Sequence, residues 1–186
     1  MSDKKRFPHA AALAVATELQ AMISPACHRV AIAGSLRRGK PEVGDIELLF
    51  IPRMSQRPDG LFDTRIVDVC AEVCEKLLDD GILAKRPNVN GHFTWGEKNK
   101  LAIHVASGIP VDFFGTAEAN WFVSLVIRTG SKDTNLRLTT GANRKGATLM
   151  AYGSGVKWSD GTITAATSEE HVFEMCGVPY LSPEKR

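Results

Sequence analysis

The sequence predicts an α+β fold: a mixed or antiparallel sheet with flanking helices, followed by a smaller α/β unit. Three observations carry this prediction. Residues 9–24 repeat apolar side chains at helical spacing. Residues 45–51, DIELLFI, alternate and then turn fully apolar. Residues 101–106 and 110–115 form two strand-like runs on either side of Gly108 and Pro110. The chain has 186 residues, room for one domain or two small ones packed together.

Taken in order, the first helix spans residues 9–24, with Ala12, Val15, Ala16, Leu19, Met22 and Ile23 on one stripe and Pro25 as its stop. Residues 29–33, RVAIA, predict a strand running into Gly34-Ser35, with about one helical turn over 35–39. Residues 45–51 predict a central strand, and 52–60, holding two prolines and a glycine, a loop. Asp63 caps a helix over 64–80 that buries Ile66, Val69, Cys70, Val73 and Leu77 and ends at Gly81. The two runs around Gly108 predict a hairpin. Thr116 caps a helix over 117–128 ending at Gly130, with Trp121, Phe122 and Leu125 in its core. Ser131 caps another, reaching about residue 140. Glycines punctuate a loop-and-hairpin region from 141 to 161, and Thr167-x-x-Glu170 opens a last short helix stopped by Gly177.

Composition excludes several classes. Hydrophobic residues make up 44% and charged residues 24%, as in an ordinary globular protein. No run approaches the ~18 apolar residues of a membrane span, and Thr17, Glu18 and Gln20 break any export signal after the basic N-terminus. Four cysteines without a C-x-x-C, and histidines 9, 28, 92, 104 and 171 without finger spacing, favour neither a disulfide scaffold nor a zinc site. A reducing cytoplasm is the expected compartment. Residues 128–157 hold Arg128, Lys132, Arg137, Arg144, Lys145 and Lys157 against the single acid Asp133. Such a cluster suits a polyanion, although charge runs also serve as solvated faces. Lys98 and Lys100 either reach a phosphate or are surface lysines; His104 and Tyr180 read as packing residues.

The sharpest feature is GSLRRGKPEVGDIELLF, residues 34–50. Strand alternation turns Asp45 and Glu47 to one side and Ile46, Leu48 and Phe50 to the other. Two carboxylates on one face of an apolar strand repel each other unless a cation lies between them. Asp112, in VDFF, joins them if its strand lies alongside, and three hard oxygen ligands suit Mg²⁺ or Mn²⁺. The plainer alternative sends each acid to solvent or to an arginine. Gly34 permits close approach of a ligand, and Ser35 with Arg37 or Arg38 can bind phosphate oxygens at the opening of a helix. The run from Gly34 to Lys40 matches the first seven positions of a P-loop, but Pro41 stands where a Ser or Thr hydroxyl must bind Mg²⁺, which excludes that motif.

Gly34-Ser35, Asp45-Ile46-Glu47 and Asp112 together resemble the nucleotidyltransferase superfamily pattern. GSLRRG, VGDIELLF, VDFF and RTGS resemble the family X, polymerase-beta-like DNA polymerases, and SEEHVFEMCGVPYLSPEKR resembles the end of their thumb. The resemblance covers residues 28–186 in order, and the small phage and bacterial members are the nearest type. It implies an N-terminal helix and nucleotidyltransferase palm over residues 1–127 and a thumb-like subdomain over 128–186. It implies template-directed nucleotide addition to a DNA 3′-hydroxyl, in gap filling or short primer extension during DNA repair. Asp45 and Glu47 would bridge two Mg²⁺ (or Mn²⁺) ions, and Asp112 would hold the ion at the primer 3′-hydroxyl. Gly34, Ser35 and Arg38 would bind the outgoing phosphates. Thr129, Gly130 and Ser131 would line the sugar of the nucleoside triphosphate, with Asn135 near the nascent pair, and Arg137, Arg144 and Lys145 would hold primer-template or gapped DNA. A monomer in a bacterial or phage-infected cytoplasm is implied, without lyase activity, since only a helix precedes the palm. Two positions depart from the family: Glu47 replaces the usual Asp, and Ile127-Arg128 replaces an aromatic pair. A nucleotidyltransferase acting on RNA, protein or a small molecule is the alternative, and a nucleic-acid binder with a decayed site is a third.

Overall fold

Strand β1 (Phe7–Pro8) leads directly into helix α1 (His9–Ile23). The computed structural model describes residues 5–60 and 63–186; the first four residues of the basic N-terminus lie outside them. Helix α1 buries Ala12, Val15, Ala16, Leu19 and Ile23, the expected stripe, with Met22 packed at its margin. Strand β2 (Cys27–Ile32) runs to the four-residue helix α2 (Gly34–Arg37), then β3 (Glu42–Val43) and β4 (Ile46–Pro52).

The next segment corrects the sequence expectation. In place of a loop and a helix start, β5 (Met54–Asp59) and β6 (Asp63–Asp68) form an antiparallel hairpin. The β-branched Thr64, Ile66 and Val67 suit a strand better than a first helical turn, and Ile66 is exposed rather than buried. The helix α3 (Val69–Asp79) begins five residues later than expected, where Asp68 accepts from the Ala71 N–H at 2.9 Å. Cys70, Cys74 and Leu77 form its buried face.

Strands β7 (Leu83–Lys85), β8 (Asn99–His104) and β9 (Ile109–Gly115) complete a five-stranded mixed sheet in the order β2-β4-β9-β8-β7. Only the β4–β9 pairing is parallel. Strand β4 is therefore interior, while β9 holds the middle. Ile46, Leu48, Phe50, Val111 and Phe113 point to one face, into a core closed by α1 and α3. Lys100 alternates onto this buried side and donates to the Gly96 carbonyl at 3.0 Å, so it reaches no ligand. Buried His104 meets the Ser107 hydroxyl at 2.8 Å, a sheet role as expected.

Helix α4 (Trp121–Thr129) covers the other face, seating Trp121 and Leu125 on Leu49, Ile51 and Phe114. Thr116 does not cap it; its hydroxyl meets that of Ser124 at 2.8 Å, and a short 3-10 turn precedes the helix. Ser131 caps α5 (Lys132–Arg144), which runs one turn further than expected. The glycine-punctuated region is a three-stranded antiparallel sheet, β10 (Ala147–Leu149), β11 (Gly155–Trp158) and β12 (Ile163–Ala165). Ser168, one residue after the expected cap, accepts from the His171 N–H to open α6 (Glu169–Met175). Val123, Val126, Leu138, Val156, Val172 and Phe173 form a second core here. Tyr180 packs edge-on to Phe173, centroids 5.3 Å apart. Among the described residues no helix is long and apolar enough to cross a membrane.

Candidate active site

The register of the mixed sheet decides what the carboxylates can do together. Glu47 on β4 lies opposite Asp112 on β9, and Asp112 lies opposite Leu101 on β8. The row continues at both ends: the Ala33 N–H donates to the Glu47 carbonyl at 2.8 Å, and the Arg86 N–H to the Leu101 carbonyl at 3.1 Å. Strand alternation turns Glu47 and Asp112 to the face that carries α4, and Asp45 precedes Glu47 by two residues. The expected convergence of the two strands is found.

Crowded negative charge marks the cluster. Glu47 is pushed up to about 7, first by burial, then by the charges of Asp45 and Asp112, with Arg128 and Arg38 opposing. Its carboxylate occupies the space a side chain would need at Gly34. A Cβ there would stand 1.8 Å from Glu47 Oε2, and Gly34 has φ +63°. Gly34→Ala therefore both strains the turn and expels the carboxylate. The expected result is a loss of about 1–2 kcal/mol in urea unfolding from the left-handed backbone alone, together with collapse of any nucleotide transfer. Unchanged activity in this variant would mean that Glu47 does not work from this position.

The basic surface beside the Gly-Ser turn is larger than the sequence predicted. Arg6, Ser35, Arg38 and Lys40, with the single acid Glu42, surround an open concavity of about 480 Å³ beside α2. No local motif marks Arg6, because β1 pairs with β3 across some 35 residues of sequence to bring it there. Arg37 points elsewhere: it donates to the Thr129 hydroxyl at 2.7 Å and to both oxygens of Glu169, at 2.5 and 3.1 Å, and Glu169 also pairs with Arg186 at 2.9 Å. Arg38 donates to the Thr129 carbonyl while its charge bears on Glu47 and Asp45. The two arginines thus join the Gly-Ser turn to Thr129 and α6.

Asp112 is not open on all sides, since Arg86 pairs with it. Among the described residues, no three His, Cys, Asp or Glu side chains are placed to hold a metal ion as they stand. The donor set nevertheless fits a hard divalent cation in kind: three carboxyl groups, crowded enough that Glu47 is pushed up to about 7 by burial and by the charges of Asp45 and Asp112.

Residues 124–186 match the DNA polymerase beta thumb family. Over 185 residues the chain is 28% identical to the DNA polymerase/3′-5′ exonuclease PolX of Bacillus subtilis strain 168, covering 98% of this chain and 29% of that protein. The chain is thus similar to the polymerase-beta-like proteins of family X, in its thumb segment by the family match and along its length by the relative. It spans a little under a third of the length of that relative.

The thumb segment places its expected site residues unevenly. Thr129 is buried against Arg37 and Arg38, and Gly130, at φ +69°, lies against the Arg38 guanidinium. The Ser131 hydroxyl is spent on capping α5, and Asn135 donates to the Ile127 carbonyl at 2.8 Å, tying α5 to α4. Arg137, Arg144 and Lys145 come together on a groove of about 480 Å³ with Leu136, Val178 and Pro179, away from the carboxylates. No acid lines it. Arg128, at the departure from the family pattern, stacks 3.6 Å from the Phe114 ring centroid and 6.0 Å from that of Tyr152. Its charge acts on Glu47. A mixed cavity of about 340 Å³, lined by Met54, Ile66 and Tyr152 on one hand and by Asp68, Glu97 and Lys98 on the other, lies beyond the far ends of β4 and β9 and holds none of the three carboxylates.

Proposed function

We propose that this chain is a template-directed DNA polymerase adding nucleotides to a DNA 3′-hydroxyl, in gap filling or short primer extension. The observation that carries the proposal is the union of three carboxylates, a basic concavity and the thumb residue Thr129 through Arg37 and Arg38. Residues 1–127 would act as the palm and 128–186 as the thumb. Asp45 and Glu47 would hold two divalent cations, Mg²⁺ or Mn²⁺, with Asp112 on the primer side; when bound, these supply charge neutralisation for the attacking and leaving oxygens of an in-line displacement.

The protein's own groups do the rest by position and charge. The triphosphate tail lies in the concavity, where Ser35, Arg38, Arg6 and Lys40 take up the charge of the departing pyrophosphate. Gly34 leaves room for the Glu47 carboxylate beside it. Thr129 and Gly130 flank the sugar, and Ser131 and Asn135 act through α5, which they cap and anchor. The backbone of the DNA strand follows Arg137, Arg144 and Lys145.

A salt titration of duplex binding separates this proposal from a nucleotidyltransferase acting on a protein or small molecule. Log affinity is expected to fall linearly with log salt, by roughly 0.9 per phosphate neutralised. Arg144→Ala with Lys145→Ala is expected to lower that slope by about two at most, equally for all sequences, because phosphate contacts carry no base information. Absence of salt-dependent binding at low ionic strength would favour the small-molecule or protein substrate.

A further inference from the structure

We infer that Arg86 is a positioning residue for Asp112, holding that carboxylate toward the cluster while competing with the divalent cation for it. This rests on the reading of Asp112 as part of the proposed polymerase site. Arg86 follows β7, the edge strand, two strands away from β9. Its backbone is fixed in the carboxylate row by its bond to the Leu101 carbonyl. From there the side chain crosses Leu101, and Nη2 donates to Asp112 Oδ1.

Both partners are largely enclosed, with side-chain exposures of 21% for Arg86 and 15% for Asp112. Arg86 Nε is buried without a hydrogen-bond partner, so among the described residues the bond to Asp112 is what orients the guanidinium. A charge-assisted bond to one carboxylate oxygen fixes the plane of the group and restricts the direction of the other oxygen. A neighbour that orients a ligand group is a recurrent device in metal sites. Here the neighbour is itself a cation, so it lowers the attraction of the cluster for a second positive charge. The same contact thus favours geometry and opposes affinity.

These two effects separate in experiment. In Arg86→Ala, kcat for primer extension is expected to fall roughly 10-fold to 100-fold, with a much smaller change in the KM for nucleotide. Mn²⁺ binding to the DNA-free protein, followed by electron paramagnetic resonance, is expected to tighten by about 10-fold, the order for a unit charge removed beside a divalent ion at solvent-like screening. Arg86→Lys keeps the charge without the planar fork: its Mn²⁺ affinity should match the wild type while kcat stays reduced. It also decides the matter if the alanine variant does not fold. Weaker Mn²⁺ binding in step with the lost rate, or a wild-type kcat, would overturn the assignment. Extension by the wild type reports on the polymerase reading alone, and the Mn²⁺ titration, which needs no DNA, reports on Arg86.

Discussion

Asp45→Asn is expected to cut single-turnover nucleotide addition by about 10³-fold or more while leaving the chain folded. Removing one group that meets developing charge in a preorganised site typically costs 10²- to 10³-fold, and Asp45 serves both cations in the proposed site. Its charge also bears on Glu47, so the substitution relaxes the repulsion in the cluster instead of opening a hole in the core. Asp112→Asn is expected to lose as much rate and some stability besides, since it leaves the enclosed Arg86 guanidinium without its anion. Circular dichroism would confirm folding, and rapid-quench kinetics would measure the rate. A near-normal rate in folded Asp45→Asn would remove the carboxylates from the chemistry.

Glu47 produces the second large effect, on stability. Its carboxyl is raised from 4.5 to about 7, so the folded state holds the proton more tightly than the unfolded chain. The sign follows from linkage: the stabilisation is complete below about pH 4.5 and is lost as pH rises through 7. At 1.36 kcal/mol per pH unit the loss amounts to about 3 kcal/mol, or roughly 6–12 °C in Tm for a chain of this size. In chelator, wild-type Tm is expected to fall between pH 5 and pH 8. Glu47→Gln should flatten that slope and be the more stable protein at pH 8. A divalent cation should reverse the trend, because it replaces the proton, and its affinity should rise with pH through 7. An identical slope in wild type and Glu47→Gln would place the titration elsewhere.

Local chemistry made much of this legible. The apolar stripe of α1, the DIELLFI strand, the hairpin around Gly108 and the stops at Gly81, Gly130 and Gly177 all follow from short-range rules, and they lie where expected. That Asp112 joins Glu47 was legible only as a condition, met by the parallel pairing of their strands. The hairpin over 54–68 was hidden because Ile66 continues the helical stripe of Val69, Cys70 and Val73, and because two prolines and a glycine over 52–60 fit a loop. What remained out of reach was long-range. Arg6 enters the basic concavity only through the β1–β3 pairing, and Arg86 meets Asp112 only through a three-strand register. Glu169 could be seen as a capping-box neighbour but not as the anion held between Arg37 and Arg186. Lys100 illustrates the opposite error: an exposed-looking lysine in WGEKNK is turned inward by the pleat of β8.

The central claim is that one cleft unites the carboxylates, the phosphate-binding turn and Thr129 to copy a template. It is tested most directly by primer extension on a gapped duplex, with Mg²⁺ or Mn²⁺ and each nucleotide offered singly, for the wild type and Asp45→Asn. The expected result is preferential addition of the nucleotide complementary to the template base, dependent on the divalent cation and absent in the variant. Addition indifferent to the template base, or extension that persists in Asp45→Asn, would contradict it.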